Sequence, residues 1–307
     1  MQHQPADPLY FETGPANRPT LRVASGEEYE IQTQLNRGPW FDTHPEGERL
    51  RKLLRGGNPS SGCVYVEGAK PGGMLSIEIG PIALDPLGFT NYRGSNGAFP
   101  GWCGVSGIGP CHKVVEIRDG RVLWSPELTL AARPMLGFVG VSSEFETFGN
   151  TWCTRYGGNF DVQEITTGAT VHLPVAVEGA LLHIGDMHAI QGDGEICGAG
   201  GIEASGLVRV TPRIADMPPS MTWPRITNAE AIMVATQAKP AEDAFRLGLE
   251  EMVKWLAEDY GFTPQEAYLY LGQVLEARAT QFVNPTFTYL LKVRREHLPR
   301  CRTGRAW

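Results

Sequence analysis

The sequence lacks an excess of basic residues, and it also lacks any long apolar run. Its 27 Lys and Arg residues stand against 34 Asp and Glu residues, which gives a net charge of −7 at pH 7. No basic stripe with interleaved aromatic residues occurs, so we expect no nucleic-acid partner. No apolar stretch could span a bilayer, and the N-terminal "MQHQPADPLYFE" lacks the charged-then-apolar order of a signal peptide. We therefore expect no membrane partner.

Paired cysteine motifs are missing as well. None of the 6 cysteines forms a C-x-x-C pair, and their spacing does not fit a zinc ribbon. Reduced thiols in a cytoplasmic protein are the simplest interpretation of this pattern.

What the sequence does have is glycine and proline, with 37 and 23 residues among 307. This content favours many turns and short strands over a helical bundle. A hydrophobic fraction of 42% is enough for a substantial core. The length is compatible with one large domain or with two closely joined domains.

The pattern of apolar residues changes near residue 238. Before that point, short alternating segments separated by turns predict strands, and one long glycine- and aromatic-rich stretch (85–112) is typical of a functional loop. After it, "KPAEDAFRLGLEEMVKWLAEDYG" has helical spacing and ends at Gly261. Thr263, with Glu266 three residues later, forms a capping box for a second helix, which we expect to run through "EAYLYLGQVLEARATQ".

These patterns predict an α+β, β-rich fold with sandwich- or barrel-like sheets and with helices mainly in the C-terminal part. We expect an N-terminal β-rich part (1–125), a second β-rich part with the candidate active site (126–238), and a C-terminal helical part packed on the same core (239–307).

The segment "GDMHAIQGDGE" (185–195) concentrates polar groups directly after a buried strand. Side chains on a strand repeat every second residue, so Asp186 and His188 are expected on one side. An Asp-x-His pair can bind a divalent cation such as zinc, with a third ligand from elsewhere. Glu195 is the candidate general base. The alternative is that these side chains only cap loop amides.

Three further residues have weaker signals. Asp161 on its own resembles a turn aspartate, and His183 is out of step with Asp186 along the strand. Cys197 could be a nucleophile with Glu195 as its base, although a thiol without a cationic neighbour is usually inert. No G-x-S-x-G elbow occurs, and "GDGEICGAGG" is a poor match to a dinucleotide loop.

Several segments together resemble the acetamidase/formamidase family. They are "VYVEGAKPGGMLSIEI" (64–79), "YGGNFD" (156–161), "LPVAVEGALLHIGDMHAIQGDGEICG" (173–198) and "QFVNP" (281–285). The resemblance implies hydrolysis of a short amide, such as formamide or acetamide, to a carboxylic acid and ammonia. It also implies a β-rich fold, homo-oligomers and, in some members, a metal at the site.

Because of this resemblance, Asp161 also becomes a candidate site residue. We expect Asp161, Asp186 and His188 to hold a divalent ion, either zinc or calcium. Glu195 would be the general base, with Asp186 also catalytic and Asn159 or the backbone of the turn stabilising the oxyanion. The remaining expected substrate contacts come from one turn, namely Gln191, Gly192 and Gly194.

The family resemblance leaves some questions open. The bulky aromatic stretch "SSEFETFGNTWCTRY" (142–156) and the loop at 85–112 differ from the usual family pattern, so a larger or differently polar amide is also compatible. The alternative to an enzyme is a non-catalytic, β-rich calcium-binding module in which the acidic loop clamps the ion.

Overall fold

The structure is a computed structural model. It describes residues 1–307 except 43, 55, 95–97, 99, 100, 102, 103, 105, 106 and 306. Cys103 and much of the predicted functional loop therefore lie outside the described residues. Of that predicted loop, residues up to Tyr92 belong instead to a long strand, and the next strand begins at Cys111.

Strands dominate the described residues, as the sequence predicts. In the first half of the chain they are β1 (Gln2–Gln4), β2 (Leu9–Tyr10), β3 (Glu12–Thr13), β4 (Leu21–Ala24), β5 (Tyr29–Thr33), β6 (Ser60–Ser61), β7 (Val64–Glu67), β8 (Gly73–Tyr92), β9 (Cys111–Arg118), β10 (Arg121–Leu123), β11 (Thr129–Ala131), β12 (Met135–Gly140), β13 (Phe148–Gly149) and β14 (Cys153–Thr154). The remaining strands are β15 (Gly157–Asn159), β16 (Thr170–Pro174), β17 (His183–Ile190), β18 (Ala199–Asp216), β19 (Arg225–Thr227), β20 (Ala231–Ala238), β21 (Glu276–Gln281) and β22 (Phe287–Arg294).

Among the described residues, helices are few and lie mainly near the C-terminus. They are α1 (Gly47–Leu53), α2 (Ala241–Tyr260) and α3 (Pro264–Val274), with short 3-10 turns at Pro39–Asp42 and Arg295–His297. The predicted capping box at Thr263 is confirmed, and Gly261 ends α2 in a left-handed conformation. The α+β, β-rich fold class is therefore confirmed.

Two long strands form the frame of the main sheet. β8 spans 20 residues and pairs antiparallel with β18, which spans 18. Their register shifts at three places, and such bulges bend a sheet and increase its twist. β16 adds to one half of β8 and β9 to its other half, so one curved sheet connects segments distant in sequence.

The strand that carries the Asp-x-His pair lies inside this sheet. β17 pairs with β12 on one side and with β18 on the other, and all of its residues except Ile190 are buried. His188 pairs with Met135 of β12 and with Glu203 of β18, so its position is fixed from both sides.

The C-terminal helices cover one end of the sheet. The α2 side chains Met252, Trp255 and Leu256 are fully buried in one apolar cluster with side chains of β20 and β22. An ion pair is also buried in this part of the chain. Arg225 is completely buried and pairs with Glu251 at 3.0 Å.

One prediction for the C-terminal part was wrong. The second helix stops at Val274, and residues Glu276–Gln281 form a strand, β21, paired with β22. The segment "EARAT" has good helical propensity, but pairing with the edge of β22 satisfies its backbone groups and outweighs that weak preference.

His172 is buried in β16 with a hydroxyl on each ring nitrogen. Nδ1 lies 2.8 Å from Ser76 Oγ, and Nε2 lies 2.9 Å from Thr227 Oγ1. Burial, with a smaller contribution from the Arg225 charge, lowers the pKa of His172 from its usual 6.5 to about 3. The folded protein therefore holds this ring neutral at pH values where the unfolded chain takes up a proton.

We expect this buried ring to make the protein sensitive to acid. The stabilising effect is complete above pH 6.5 and is lost as the pH falls toward 3, because only the unfolded state binds the proton in that window. In His172→Asn, the decrease in unfolding free energy between pH 7 and pH 5 should be about 2 kcal/mol smaller than in the wild type. Urea denaturation at each pH measures this difference. The same substitution at exposed His112 is the control, and equal slopes in all three proteins would contradict the assignment.

Candidate functional site

The candidate site is marked by backbone strain at three of its carboxylic acids. Asp161, Asp186 and Glu195 have φ values of 50°, 52° and 45°. Non-glycine residues seldom adopt this left-handed region, and such conformations persist where the surrounding structure enforces them. The surrounding structure therefore enforces an unusual backbone conformation at each of these three acids.

The structure brings the three expected metal ligands together. One potential ligand atom from each of Asp161, Asp186 and His188 lies within 4.8 Å of the others, and all three residues are buried. Asp186 Oδ1 is 3.5 Å from His188 Nε2, so the two side chains meet as the strand alternation predicts. Asp161 reaches them from the segment after β15.

Two asparagines from distant loops hold the aspartates. Asn284 donates a hydrogen bond to Asp161 Oδ2 at 2.8 Å, and Asn58 donates one to Asp186 Oδ2 at 3.3 Å. Asn159 links the two sides, since it donates to Asp161 Oδ2 at 2.8 Å and accepts from Asn58 at 2.9 Å. Each aspartate therefore has one oxygen fixed by amides and one oxygen left for the centre of the cluster.

Gln191 fixes the orientation and the tautomer of His188. Its amide nitrogen donates to the carbonyl oxygens of Asp161 at 2.8 Å and Thr280 at 3.1 Å. Its Oε1 therefore faces His188 Nδ1, at 2.9 Å, and must accept the proton carried there. In the neutral ring, Nε2 is then left with a lone pair that points into the cluster.

Two glutamates complete the cluster. Glu203 lies directly opposite His188 in the pairing of β17 with β18, and its Oε1 is 3.6 Å from His188 Nε2. Burial and the charge of Asp161 raise the pKa of Glu195 well above its usual value, while burial and the charge of Asp186 raise the pKa of Glu203. The site thus contains four carboxyl groups around one imidazole in a volume that excludes most water.

The central atoms of the cluster lack hydrogen-bond partners. Four buried atoms of the cluster have no hydrogen-bond partner among the described residues, namely Asp161 Oδ1, Asp186 Oδ1, His188 Nε2 and Glu195 Oε2. Burying such atoms without a partner is unfavourable by about 1–3 kcal/mol each, and by more for charged groups. Their convergence is the arrangement expected for ligands that surround a bound cation.

Two glycines make this close approach possible. A Cβ atom on Gly137 of β12 would lie 2.5 Å from Asp186 Oδ2 and 2.6 Å from Asp161 Oδ1. A Cβ atom on Gly200 of β18 would lie 2.8 Å from His188 Nε2. Any side chain at either position would occupy the space where the acids and the imidazole meet.

A cavity of about 990 Å³ adjoins the cluster. Asn58 and Asn284 line this cavity, and the same two side chains touch Asp186 and Asp161. The two asparagine amides therefore lie between the cavity and the aspartates.

The other predicted site residues occupy different places. Gly192 is exposed and, with Gln191, lines a second cavity of about 740 Å³ that does not include the two asparagines. The N–H of Gly194 already donates to the carbonyl of Ala279 at 3.2 Å. His183 contacts Ser60 and Tyr10 rather than the acids, in agreement with its opposite strand parity.

The sequence reasoning missed five residues that shape the site. Asn284 lies inside "QFVNP", and Glu203 interrupts the otherwise apolar or small "GIEASGL", so both had a local signal. Asn58, Gly137 and Gly200 had none, because their importance comes only from the contacts made across strands.

Comparison with known proteins identifies the family of this chain. The model of the acetamidase/formamidase family matches residues 98–293, a range that contains the aspartates, the histidine and both glutamates. The chain belongs to the acetamidase/formamidase family.

Solved members of the family have the same fold. An acetamidase from Bacillus halodurans superposes with a TM-score of 0.86 at 28% identity, over 96% of this chain and 98% of that one. A predicted acetamidase/formamidase from Thermoanaerobacter tengcongensis gives a TM-score of 0.86 at 27% identity, over 95% of each chain.

A curated family member is more similar over a shorter segment. The acetamidase of Mycolicibacterium smegmatis is 35% identical in an alignment 146 residues long, and the match covers 38% of this chain and 34% of that protein. The chain thus matches about a third of the length of this curated relative.

The close approach at Gly137 gives a test of the site geometry. Gly137→Ala should decrease the unfolding free energy by about 1–3 kcal/mol, because the added methyl group overlaps both aspartates. Gly192→Ala is the matched control, since no atom lies within 4 Å of the added Cβ. Urea denaturation compares the two variants. Equal stability of Gly137→Ala and wild type would show that the aspartates lie farther apart than described.

Proposed function

We propose that the protein hydrolyses short-chain amides to a carboxylic acid and ammonia with the help of a bound divalent cation. Membership of the acetamidase/formamidase family supports the reaction class. The observation that carries the proposal is the buried convergence of Asp161, Asp186, His188 and Glu195 with unpartnered atoms at its centre.

The donor set fits zinc better than calcium. Calcium prefers six to eight oxygen ligands, whereas zinc binds imidazole nitrogen together with carboxylates. Asp161, Asp186 and His188 offer two carboxylates and the Nε2 lone pair that Gln191 leaves in place. A cation would also relieve the repulsion among the buried acids. When bound, it supplies Lewis acidity, which acidifies water and polarises an amide carbonyl.

Glu195 is proposed as the general base and then the general acid. Burial raises the pKa of its carboxyl group, and its Oε2 has no hydrogen-bond partner among the described residues. It would take a proton from the attacking water while the new C–O bond forms. It would then give that proton to the amide nitrogen as the C–N bond breaks, because an unprotonated amide ion is a very poor leaving group.

The amides around the aspartates are proposed to bind the substrate. Asn159 lies next to Asp161, where its remaining N–H can stabilise the oxygen that becomes negative. Asn58 and Asn284 face the cavity through which the substrate enters. Gln191 is proposed as a positioning residue that acts through His188. The N–H of Gly194 already donates a hydrogen bond to the carbonyl oxygen of Ala279.

We further propose a cytoplasmic homo-oligomer. None of the described cysteines forms a disulfide, in keeping with reduced thiols. Exposed apolar side chains such as Phe145 and Leu269 could contribute to contacts between copies. Within the described residues, no helix has the length and apolar character needed to cross a membrane.

Replacing the proposed base gives the most direct test. Glu195→Gln keeps the size of the side chain but removes its ability to accept a proton, so kcat for acetamide or formamide should fall at least about 100-fold. A coupled ammonia assay with formamide, acetamide and propionamide measures it. Exposed Glu178→Gln is the control and should retain full activity. Normal turnover in Glu195→Gln would refute the assigned role.

The same assay separates the alternatives. Cys197→Ala should retain most activity, whereas near-complete loss would favour the thiol as nucleophile with Glu195 as its base. A wild-type protein that releases no ammonia but binds calcium tightly would be the non-catalytic calcium-binding module instead.

Metal removal gives a second test with a readout other than activity. Elemental analysis should find about one divalent ion per chain, and dialysis against a chelator should remove the ion together with the activity. Adding zinc should restore activity and raise the Tm, because the ion binds only the folded state. Asp161→Asn should lose the ion, whereas Glu178→Gln should keep it. Full activity in the metal-free protein would contradict this part of the proposal.

A further inference from the structure

The cavity beside the candidate site is much larger than the simplest amides. Its volume of about 990 Å³ lies at the upper end of the range of about 300–1,000 Å³ typical of ligand pockets. Formamide and acetamide would fill only a small part of it. The site therefore has room for an amide with a second functional group.

The cavity wall is positively charged on a protein that is negative overall. Among the described residues, Arg37, Arg51 and Arg93 line it together with one carboxylate, that of Asp42. The chain as a whole has a net charge of −7. Arg51 pairs with Asp42, while Arg37 has no ion pair with a carboxylate in the part of the chain that the structure describes. Positive charge is therefore concentrated at this cavity, although the net charge of the chain is negative.

Two of the arginines are neighbours, and the third faces an aromatic side chain of the wall. Arg93 Nη2 donates to the backbone carbonyl of Arg37 at 2.9 Å, so the two residues are neighbours. The Arg51 guanidinium lies 5.9 Å from the centre of the Phe41 ring, which also lines the cavity. Arginine suits carboxylate recognition because its planar fork can donate two parallel hydrogen bonds.

The cavity wall and the buried acids behind its asparagines carry opposite charge. Asn58 and Asn284 connect it to the buried acids, which would repel a carboxylate, whereas the arginines would attract one. A molecule with an amide at one end and a carboxylate at the other would therefore enter in one orientation, with the amide toward the acids.

On the basis of the proposed amidase function, we propose that the preferred substrate is a monoamide that carries a carboxylate, bound by the Arg37, Arg51 and Arg93 wall of the cavity. Hydrolysis follows the course given above, with ammonia as the leaving group and a dicarboxylate as the second product. The arginines bind and orient the substrate and take no part in the proton transfers.

Three amides of similar length and different charge test this proposal. They are succinamate, which is anionic, 4-methylpentanamide, which is neutral with the same number of non-hydrogen atoms, and 4-aminobutanamide, which is cationic. With wild-type protein and added zinc, kcat/KM for succinamate should exceed that for 4-methylpentanamide by about tenfold, and the cation should be poorest. Added salt should reduce this preference because it screens exposed charges.

Arg37 is the residue to change. Arg37→Gln should lower kcat/KM for succinamate about fivefold and leave 4-methylpentanamide within about twofold, since only the anion uses the charge. Arg37→Lys should retain part of the preference. Arg209→Gln, at an exposed position of β18 outside the cavity, is the matched control and should change neither value.

The outcomes separate this inference from the proposed function. Equal or better hydrolysis of the neutral amide by the wild type would overturn the anionic substrate and leave the amidase function intact. If no amide is hydrolysed, the proposed function fails, and titration calorimetry with succinamate decides the inference. Binding that Arg37→Gln weakens would support the anion site, and no binding would overturn it.

Discussion

The repulsion among buried carboxyl groups is the constraint on which the site depends. Asp161, Asp186, Glu195 and Glu203 share a small volume with a single imidazole, and each is almost completely buried. Burial raises the pKa of three of them, with the neighbouring acids adding to the effect. Such a group of acids stays together only because the surrounding structure holds it, and a cation at its centre would offset the repulsion.

The sheet supplies the rigidity that this arrangement requires. β17 lies between β12 and β18, which both pair with His188, and Asp186 lies between two residues that pair with β12. Amide side chains then fix one oxygen of each aspartate and the Nδ1 proton of the histidine. Partners of this kind orient the ligands of a metal and set the tautomer of a ligating histidine. The positive φ values of the three acids indicate that the fold maintains this geometry at the expense of local backbone preference.

The buried cluster and the adjoining cavity differ in charge. The cluster is rich in carboxyl groups, whereas asparagine amides and guanidinium groups line the cavity. The fold is shared with an acetamidase of known structure. Under the proposed function, the cavity wall would select the substrate and the buried acids would carry out the hydrolysis.

The sequence alone determined the secondary structure of long periodic segments, the β-rich class and the concentration of ligands at residues 186–195. These features depend on spacing within one segment, where side-chain alternation and capping preferences act locally. Local preference misled at 276–281, because pairing with β22 is a contact that the helix pattern could not reveal. Only the tertiary structure decided that Glu203 would face His188, that Asn58 and Asn284 would hold the aspartates, and that Gly137 and Gly200 would leave room for the cluster. Each of these contacts joins strands or loops far apart along the chain, and their proximity follows from strand register and sheet curvature rather than from sequence spacing.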